Sequence, residues 1–234
     1  MSSLNDFPEV LLIIDTETTG LDPDKDKCIE IGSILYSVKK RAILTQHSFL
    51  LPVSENNAEN INKINPSITT INQPWEKALD YFNDLVDSSE YLVAHNSAFD
   101  QQWFGKFPLP ILAKKWICSM EDINWPKERS LRARPSVRDL ALAYEVPVWM
   151  LHRALTDCIY IAEVFNREPL LEVLLNQALE PKQLVRANIS YENRHLAKNA
   201  SFTWNNPIPG AWGRRISQRE RDLLEFDVSE VYPD

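Results

Sequence analysis

The sequence predicts an α/β fold in which helices cover a mixed β-sheet. The first observation is a short, uninterrupted apolar run at 10–14, which is typical of a strand buried on both faces. The second is a similar run at 91–94, again followed by polar residues. The third is the helical spacing of apolar residues in the segments after these runs, a succession that favours a sheet flanked by helices.

The remaining elements follow from the same patterns. Strands are expected at 10–14, 28–36, 43–51 and 91–94, and helices at 75–86, 97–104, 136–144, 151–165 and 170–179, with one helical turn at 60–65. Ser97 and Ser136 can accept hydrogen bonds from the first turns of their helices. From about residue 170 the sequence becomes richer in Asn, Arg and Trp, so we expect an α/β domain at 1–170 and an accessory extension at 171–234 that docks on it.

Composition excludes several classes of protein. The net charge of -8 and the pI of about 5.1 do not fit a protein that coats DNA non-specifically. The five glycines form neither common phosphate-binding motif, and three cysteines without C-x-x-C spacing indicate neither a disulfide framework nor a zinc site. No apolar run approaches the roughly 20 residues of a membrane span. The first six residues lack the features of a signal peptide, so we expect a cytoplasmic protein that binds no membrane.

Two carboxylates stand at the end of the first strand. In the segment D-T-E-T-T-G-L, Asp15 and Glu17 are two residues apart and therefore point to the same face of a strand. Carboxylates placed side by side repel each other unless a cation lies between them. For this pair alone, a polar loop after a strand is the simpler interpretation.

Two further segments end in an aspartate near the start of a helix. Asp100 closes H-N-S-A-F-D, in a first helical turn where a negative charge is favourable even without a function. Asp157 closes H-R-A-L-T-D, which begins at His152. It lies on the same helical stripe as Ile161 and Val164, next to a second apolar stripe. An enclosed, ionised carboxylate needs a compensating charge, which a bound cation would supply. His152 alone could be a surface residue at a helix start.

Together these side chains indicate a metal site. Each of the four acids lies at the end of a regular element, at the same expected edge of the sheet, and hard oxygen ligands suit Mg²⁺ or Mn²⁺. Two such ions, roughly 3.5–4 Å apart, stabilise the attacking and leaving oxygens during phosphodiester cleavage. A histidine such as His152 could then take the proton from the attacking water.

The three segments, in this order, resemble the three exonuclease motifs of the DnaQ-like, or DEDDh, superfamily of 3′→5′ exonucleases. The resemblance covers roughly residues 8–168. A histidine five residues before Asp157 is typical of the histidine branch, since the tyrosine branch would carry a tyrosine where Arg153 stands. The segments 91–99 and 116–120 are most similar to exodeoxyribonuclease X-like proteins, which favours DNA over RNA.

This resemblance implies a fold, a cofactor and a mechanism. The fold is ribonuclease-H-like, with a mixed five-stranded sheet flanked by helices. The cofactors are two divalent cations, Mg²⁺ or Mn²⁺, held by four carboxylates: Asp15, Glu17, Asp100 and Asp157. His152 is the implied general base, and these five residues form the implied catalytic set.

Substrate contacts are implied at two positions. Thr18 and Phe99 correspond to residues that contact the terminal nucleotide, through the backbone and by stacking, although Phe99 could equally pack in the core. His95 and Asn96 are expected to shape the turn before the helix. At 61–69 the His-Gly pair that many relatives carry is absent, so substrate contacts from this segment are left open.

Basic residues cluster in two places. Between 114 and 138, seven Lys or Arg outnumber three acids, with Trp116 and Trp125 among them. That pattern fits either the wall of a nucleic-acid groove or a solvated surface above core tryptophans. Between 182 and 221, eight Lys or Arg outnumber two acids, and the pattern at 189–204 predicts a strand–helix–strand unit. The alternative there is a flap that packs its aromatic residues on the first domain.

The sequence thus predicts a metal-dependent 3′→5′ exonuclease that releases nucleoside 5′-monophosphates from a free 3′ end, with DNA as the favoured nucleic acid and a role in DNA repair or replication. One alternative is an exoribonuclease or oligoribonuclease of the same superfamily. Another is a non-catalytic nucleic-acid-binding or polymerase-associated module, against which the intact catalytic set argues. A protein partner could bind through the C-terminal extension.

Overall fold

The computed structural model describes residues 7–232, and the larger of its two sheets has five strands. These are β1 Val10–Thr18, β2 Cys28–Ser37, β3 Ala42–Leu50, β4 Tyr91–Ala94 and β5 Trp116–Cys118. The order across the sheet is β3-β2-β1-β4-β5. β1 is antiparallel to β2 and parallel to β4, which confirms the expected mixed sheet. The expectation about a signal peptide falls on residues 1–6, outside the described residues.

Helices cover both faces of this sheet. They are α1 Glu59–Asn62, α2 Pro66–Thr69, α3 Trp75–Ser88, α4 Ser97–Gln101, α5 Val137–Ala143, α6 Ala154–Arg167 and α7 Leu171–Ala178. Side chains alternate along β1, so Leu11 and Ile13 pack toward α6 whereas Leu12 and Ile14 pack toward α3. β1 is therefore buried on both faces, as its continuous apolar run predicted. Within residues 7–232, no helix combines the length and the apolar character needed to cross a bilayer.

The N-terminus of one helix agrees with the sequence prediction, and the N-termini of two others differ from it. Ser136 caps α5 as predicted, because its hydroxyl accepts a hydrogen bond from the N–H of Asp139 at 3.1 Å. Ser97 was expected to cap α4, but the capping position belongs to Asn96, which adopts a left-handed conformation with φ of 73°. α6 begins at Ala154 and not at residue 151, because His152 is also left-handed, with φ of 61°.

The C-terminal region forms a second, four-stranded sheet. Its strands are β6 Lys182–Ala187, β7 Thr203–Trp204, β8 Trp212–Ser217 and β9 Val228–Glu230, in the order β7-β8-β6-β9, and its helices are α8 Arg194–Asn199 and α9 Gln218–Arg221. The predicted strand–helix–strand unit is smaller than the observed one, which has four strands and two helices. The strand expected at 189–191 is a loop, because the strand before α8 ends at Ala187.

The two sheets are linked by α7 and by polar contacts. α7 was placed in the extension, yet Leu171 and Leu175 are fully buried in the same core as α6. The small sheet has its own apolar cluster, which includes Val185 and Phe202. Lys182 Nζ lies 2.8 Å from Asp122 Oδ1, so β6 is tied to the segment after β5.

Candidate active site

Asp15 and Glu17 lie near the end of β1, on the face that α6 covers. Asp15 pairs with Gly32 of β2 in register. A Cβ on Gly32 would lie 2.3 Å from the backbone carbon of Ala154, so only glycine lets α6 begin this close to β2. Sequence reasoning missed this contact, although a glycine inside a strand often marks such an approach.

Asp100 reaches the same strand from α4. It is 1% exposed, and its Oδ1 accepts hydrogen bonds from the N–H and the hydroxyl of Thr16, at 3.0 and 2.8 Å. Thr16 stands between Asp15 and Glu17, so these bonds fix Asp100 beside both acids. Asp100 Oδ2 is buried and has no hydrogen-bond partner among the described residues.

His152 and Asp157 come from the junction before α6 and from its first turn. The N–H of His152 donates to Asp157 Oδ2 at 3.2 Å, while Asp157 Oδ1 is buried without a partner in the described part of the chain. One ring nitrogen of His152 and one carboxylate oxygen each of Glu17 and Asp157 lie within 4.8 Å of one another. The side chain of His152 is exposed, so water can reach its ring. The structure therefore brings the five implied catalytic residues to one edge of the large sheet.

A fifth acid, Glu30, borders the group and was missed by the sequence reasoning. It pairs with Glu17 in register and is 3% exposed. Arg153 balances it, because the guanidinium Nε and Nη2 donate to Glu30 Oε2 and Oε1 at 3.0 and 2.8 Å. A lone glutamate in an apolar strand is the signal that could have pointed to a buried, compensated charge.

Burial raises the pKa of four carboxyl groups in this site, and repulsion between acids adds to it at Asp15, Glu17 and Asp157. Removal from water raises the pKa of Asp15 well above its usual value, and Asp100, Asp157 and Glu17 raise it further by repulsion. Burial, followed by repulsion from Asp157, raises the pKa of Glu17 to about 8. Burial also raises the pKa of Asp100 and of Asp157 to about 7, against the hydrogen bonds from Thr16 and His152 that favour the ionised forms. Without a cation, the site therefore favours the protonated forms of these acids, because their ionised forms lack a compensating positive charge.

This arrangement fits divalent cations. Asp100 and Asp157 each have one oxygen fixed by a protein hydrogen bond and a second oxygen that is buried without a partner. A buried acceptor left unsatisfied costs about 1–3 kcal/mol, and more if it is charged. Oxygen ligands of this kind suit Mg²⁺ or Mn²⁺, and a cation would lower the pKa of every acid around it.

The two residues expected to contact a terminal nucleotide lie beside the acids. The hydroxyl of Thr18 donates to the carbonyl of Gly20 at 2.6 Å, and the Thr18 carbonyl accepts from Asn62 Nδ2 at 3.1 Å. Phe99 is half-buried and meets Trp103 edge to face, with 5.8 Å between ring centroids. Asn62 belongs to the segment for which substrate contacts were left open, and it acts here as a support for Thr18.

His95 and Asn96 shape the turn before α4, as the sequence indicated. Both ring nitrogens of His95 are within hydrogen-bond distance of protein oxygens, Ser119 Oγ at 3.0 Å and the Pro135 carbonyl at 2.9 Å. Burial lowers the pKa of His95 to about 4, so the ring is neutral at ordinary pH. Asn96 supplies the left-handed residue of the turn.

In the basic segment at 114–138, the two tryptophans and one arginine pack against other residues of the protein. Trp125 packs in the core against Tyr144 and Phe165, and Trp116 packs against Phe104. Arg129 lies over the ring of Tyr144 at 4.1 Å. The tryptophans therefore pack in the core, as the second interpretation predicted. At least one positive charge of the segment, that of Arg129, contacts a side chain of the protein itself.

Comparison with family models gives two matches. The family described as "Exonuclease" matches residues 12–165, which is about two thirds of the chain and contains every acid of the site. Residues 183–231, which make up most of the small sheet, match a "Domain of unknown function (DUF8626)".

Similar proteins include DNA polymerase subunits and solved exonuclease structures. A PolC-type DNA polymerase III of Thermotoga petrophila is 27% identical over 180 residues, 67% of this chain but 12% of the polymerase, so this chain spans a small part of that relative. The epsilon subunit of DNA polymerase III of Treponema pallidum is 27% identical over 161 residues, 65% of this chain and 73% of that subunit. A structure of exonuclease X with 5′ overhanging duplex DNA is 24% identical, covers 72% of this chain and 99% of its own, and has a TM-score of 0.53, which establishes a shared fold.

Proposed function

Because this chain belongs to the exonuclease family, within the DnaQ-like superfamily that its three motifs indicated, we propose that it is a metal-dependent 3′→5′ exonuclease acting on DNA. Its reaction is the hydrolysis of the terminal phosphodiester bond, with release of a nucleoside 5′-monophosphate. One observation supports the proposal most strongly. A ring nitrogen of His152 and one carboxylate oxygen each of Glu17 and Asp157 lie within 4.8 Å of one another, and the site also contains buried oxygens of Asp100 and Asp157 that have no partner among the described residues.

The four carboxylates would hold two divalent cations, Mg²⁺ or Mn²⁺. Asp15 and Glu17 contribute from β1, Asp100 from α4 and Asp157 from α6. When bound, such cations stabilise the negative charge that develops on the phosphate oxygens during hydrolysis. The hydrogen bonds from Thr16 and from the His152 N–H hold Asp100 and Asp157 with one oxygen turned to the site.

His152 would be the general base. It accepts the proton of the attacking water on a ring nitrogen, for which its exposure is suitable. Its left-handed backbone conformation places it before α6 and not within it, and the bond from its N–H to Asp157 couples the base to a metal ligand. The imidazole can later return the proton to solvent.

The end of the substrate strand would lie against Thr18 and Phe99. The half-buried ring of Phe99 can accept a terminal base by stacking, which tolerates every base. Thr18, the last residue of β1, would contact the same nucleotide through its backbone, which Asn62 holds in position. Contacts of this kind select a free 3′ end without selecting a sequence.

DNA is the proposed nucleic acid. Support comes from the relatives, because the matched curated proteins include DNA polymerases and the exonuclease X structure contains duplex DNA. We further propose that the catalytic unit ends after α7, since this helix completes its core, and that residues 182–232 are an accessory unit docked on it.

The test of this function is a substrate panel. Purified protein with Mg²⁺ or Mn²⁺ would be given 5′-labelled single-stranded DNA, duplex DNA with different ends, and RNA. The proposal expects a ladder of DNA products that shorten from the 3′ end. Degradation confined to RNA would favour the exoribonuclease alternative, and intact substrates throughout would favour a non-catalytic binding module.

A further inference from the structure

The eight Lys and Arg residues between 182 and 221 fall into two groups. Four of them form ion pairs with carboxylates: Lys182, Arg214, Arg219 and Arg221. The other four form no ion pair with a carboxylate within residues 7–232: Arg186, Arg194, Lys198 and Arg215. Half of the positive charge in this stretch therefore holds the protein together. The other half lacks a carboxylate partner, and within it Arg194 Nη1 donates to the Tyr191 carbonyl at 2.7 Å.

These four cations lie on two opposite sides of the small sheet. α8 covers the side of Val185 and Arg214, since Val185 packs with Ala197 and Arg214 Nη1 donates to the Ala200 carbonyl at 2.8 Å. Side chains alternate along a strand, so Arg186 and Arg215 point to the opposite side. Arg194 and Lys198 are one turn apart on α8 and exposed, so they lie on the helix side.

Two exposed aromatic residues flank α8. Tyr191 precedes the helix, is 77% exposed, and carries the Arg194 guanidinium 3.9 Å from its ring centroid. Trp204 follows the helix in β7 and is 58% exposed. It pairs in register with Trp212 and meets it edge to face, so it lies on the same side of the sheet as α8. Two large aromatic side chains are therefore exposed on either side of the cations of α8, where a ligand can reach them.

We propose that Tyr191, Arg194, Lys198 and Trp204 form an aromatic–basic surface that binds single-stranded DNA. Aromatic rings stack on bases that are unpaired, and cations between them meet the phosphates. The charge is complementary, because Arg194 and Lys198 lie on this surface and Glu192 is the single acid between residues 186 and 215. A duplex would hide its base faces from Tyr191 and Trp204, so the surface fits a single strand. The choice of DNA rests on the proposed function, and the surface would hold the strand whose 3′ end enters the active site.

Binding of labelled oligothymidylate, measured by fluorescence anisotropy in full-length protein, tests this proposal. Every variant would carry Asp15→Asn so that the strand stays intact. Tyr191→Ala and Trp204→Ala should each weaken binding by about 5- to 150-fold, the range expected for the loss of one stacked base. Tyr191→Phe, which keeps the ring, should bind like the parent protein.

Matched controls exist in the same unit. Tyr232 is 78% exposed and lies outside the surface, so Tyr232→Ala should leave the affinity unchanged. Arg215→Gln removes a cation that points to the opposite side of the small sheet and should also have little effect. Arg194→Gln should lower the slope of log affinity against log salt by about 0.7, the value for one lost phosphate contact with a single strand.

These experiments test the binding surface independently of the proposed catalytic activity, because affinity is measured under conditions in which the strand is not cleaved. Unchanged affinity in Tyr191→Ala and Trp204→Ala would overturn the surface even if the enzyme cuts DNA as proposed. An equal loss of affinity for duplex DNA would overturn the single-strand assignment, and a larger effect on RNA than on DNA would overturn the choice of DNA. A selective loss for single-stranded DNA would support the surface even in a protein without exonuclease activity.

Discussion

Glu30 and Arg153 form a two-point ion pair at the edge of the acidic site, with donor–acceptor distances of 3.0 and 2.8 Å. The N–H of Ala154 also donates to Glu30 Oε2, at 3.0 Å. Arg153 stands directly after His152, so this pair ties the junction that carries the proposed base to β2. The Glu30–Arg153 pair therefore helps to hold Glu17, His152 and Asp157 in their positions relative to one another.

Breaking this pair from one side should destabilise the protein. Arg153→Met leaves Glu30 buried without its counterion and should lower the free energy of unfolding by about 3 kcal/mol. The double variant Glu30→Gln/Arg153→Met should recover part of this loss, because it leaves no unpaired charge. Chemical denaturation of the wild type, both single variants and the double variant measures the coupling. Additive effects of the two substitutions would show that the residues do not act as a pair.

The stability of the metal-free protein should fall as the pH rises. Burial raises the pKa of Glu17 to about 8 and those of Asp100 and Asp157 to about 7, and repulsion from neighbouring acids adds to the shift of Glu17 and Asp157. Between about pH 4, where these acids titrate in the unfolded chain, and about pH 8, the folded state therefore holds protons that the unfolded state releases, so stability is lost across this window.

Thermal melts in EDTA on the acidic and alkaline sides of this window check the sign. Asp100→Asn should lose less stability than the wild type between the two conditions, because one raised carboxyl is gone. Saturating Mg²⁺ should also reduce the loss, since the cation compensates the ionised acids. A wild-type protein whose pH dependence in EDTA matches that of Asp100→Asn would contradict this explanation.

Replacement of the proposed base should affect turnover more than binding. His152→Ala should lower kcat by about 10²- to 10⁴-fold, the usual contribution of general acid–base catalysis. KM should change little, because the carboxylates and the strand contacts remain. Steady-state kinetics on a DNA oligonucleotide measures both values, with His47→Gln as a control for loss of a histidine away from the site. An unchanged kcat would remove His152 from this role.

The position of the C-terminal cut should decide whether a shortened chain folds. A chain ending at residue 180 keeps α7 and should retain a cooperative thermal transition and hydrolysis of very short substrates. A chain ending at Pro169 loses Leu171 and Leu175, both fully buried, and should be strongly destabilised. Equal melting temperatures for the two chains would show that α7 does not belong to the catalytic core.

The sequence located the acids because each ends a regular element. The apolar run before Asp15 and the helical stripes around Asp157 are local patterns, and local patterns carry secondary structure. The start of α6 was misplaced because Leu151 continues the apolar spacing of the helix, while the backbone turns left-handed at His152. The spacing of apolar side chains cannot predict that a single residue, His152, adopts a left-handed backbone conformation.

Long-range relationships were the part that sequence could not supply. Glu30 and Arg153 are separated by 123 residues, and neither is distinctive alone. The small sheet was underestimated for the same reason, since β6 pairs with β8 and β9 across intervening loops and β7 has two residues. Short strands whose partners are distant leave a weak periodic signal.

The most direct test of the proposed mechanism is cation-dependent release of nucleoside 5′-monophosphate from 3′-labelled single-stranded DNA, compared between the wild type and Asp15→Asn. The wild type should release the label with Mg²⁺ or Mn²⁺, stop in excess EDTA and recover when the cation is restored. Asp15→Asn should remain folded, because it removes one charge from a repulsive cluster, and should lose nearly all turnover. Undiminished release in excess EDTA, or by Asp15→Asn, would contradict the assignment of these carboxylates to the metals.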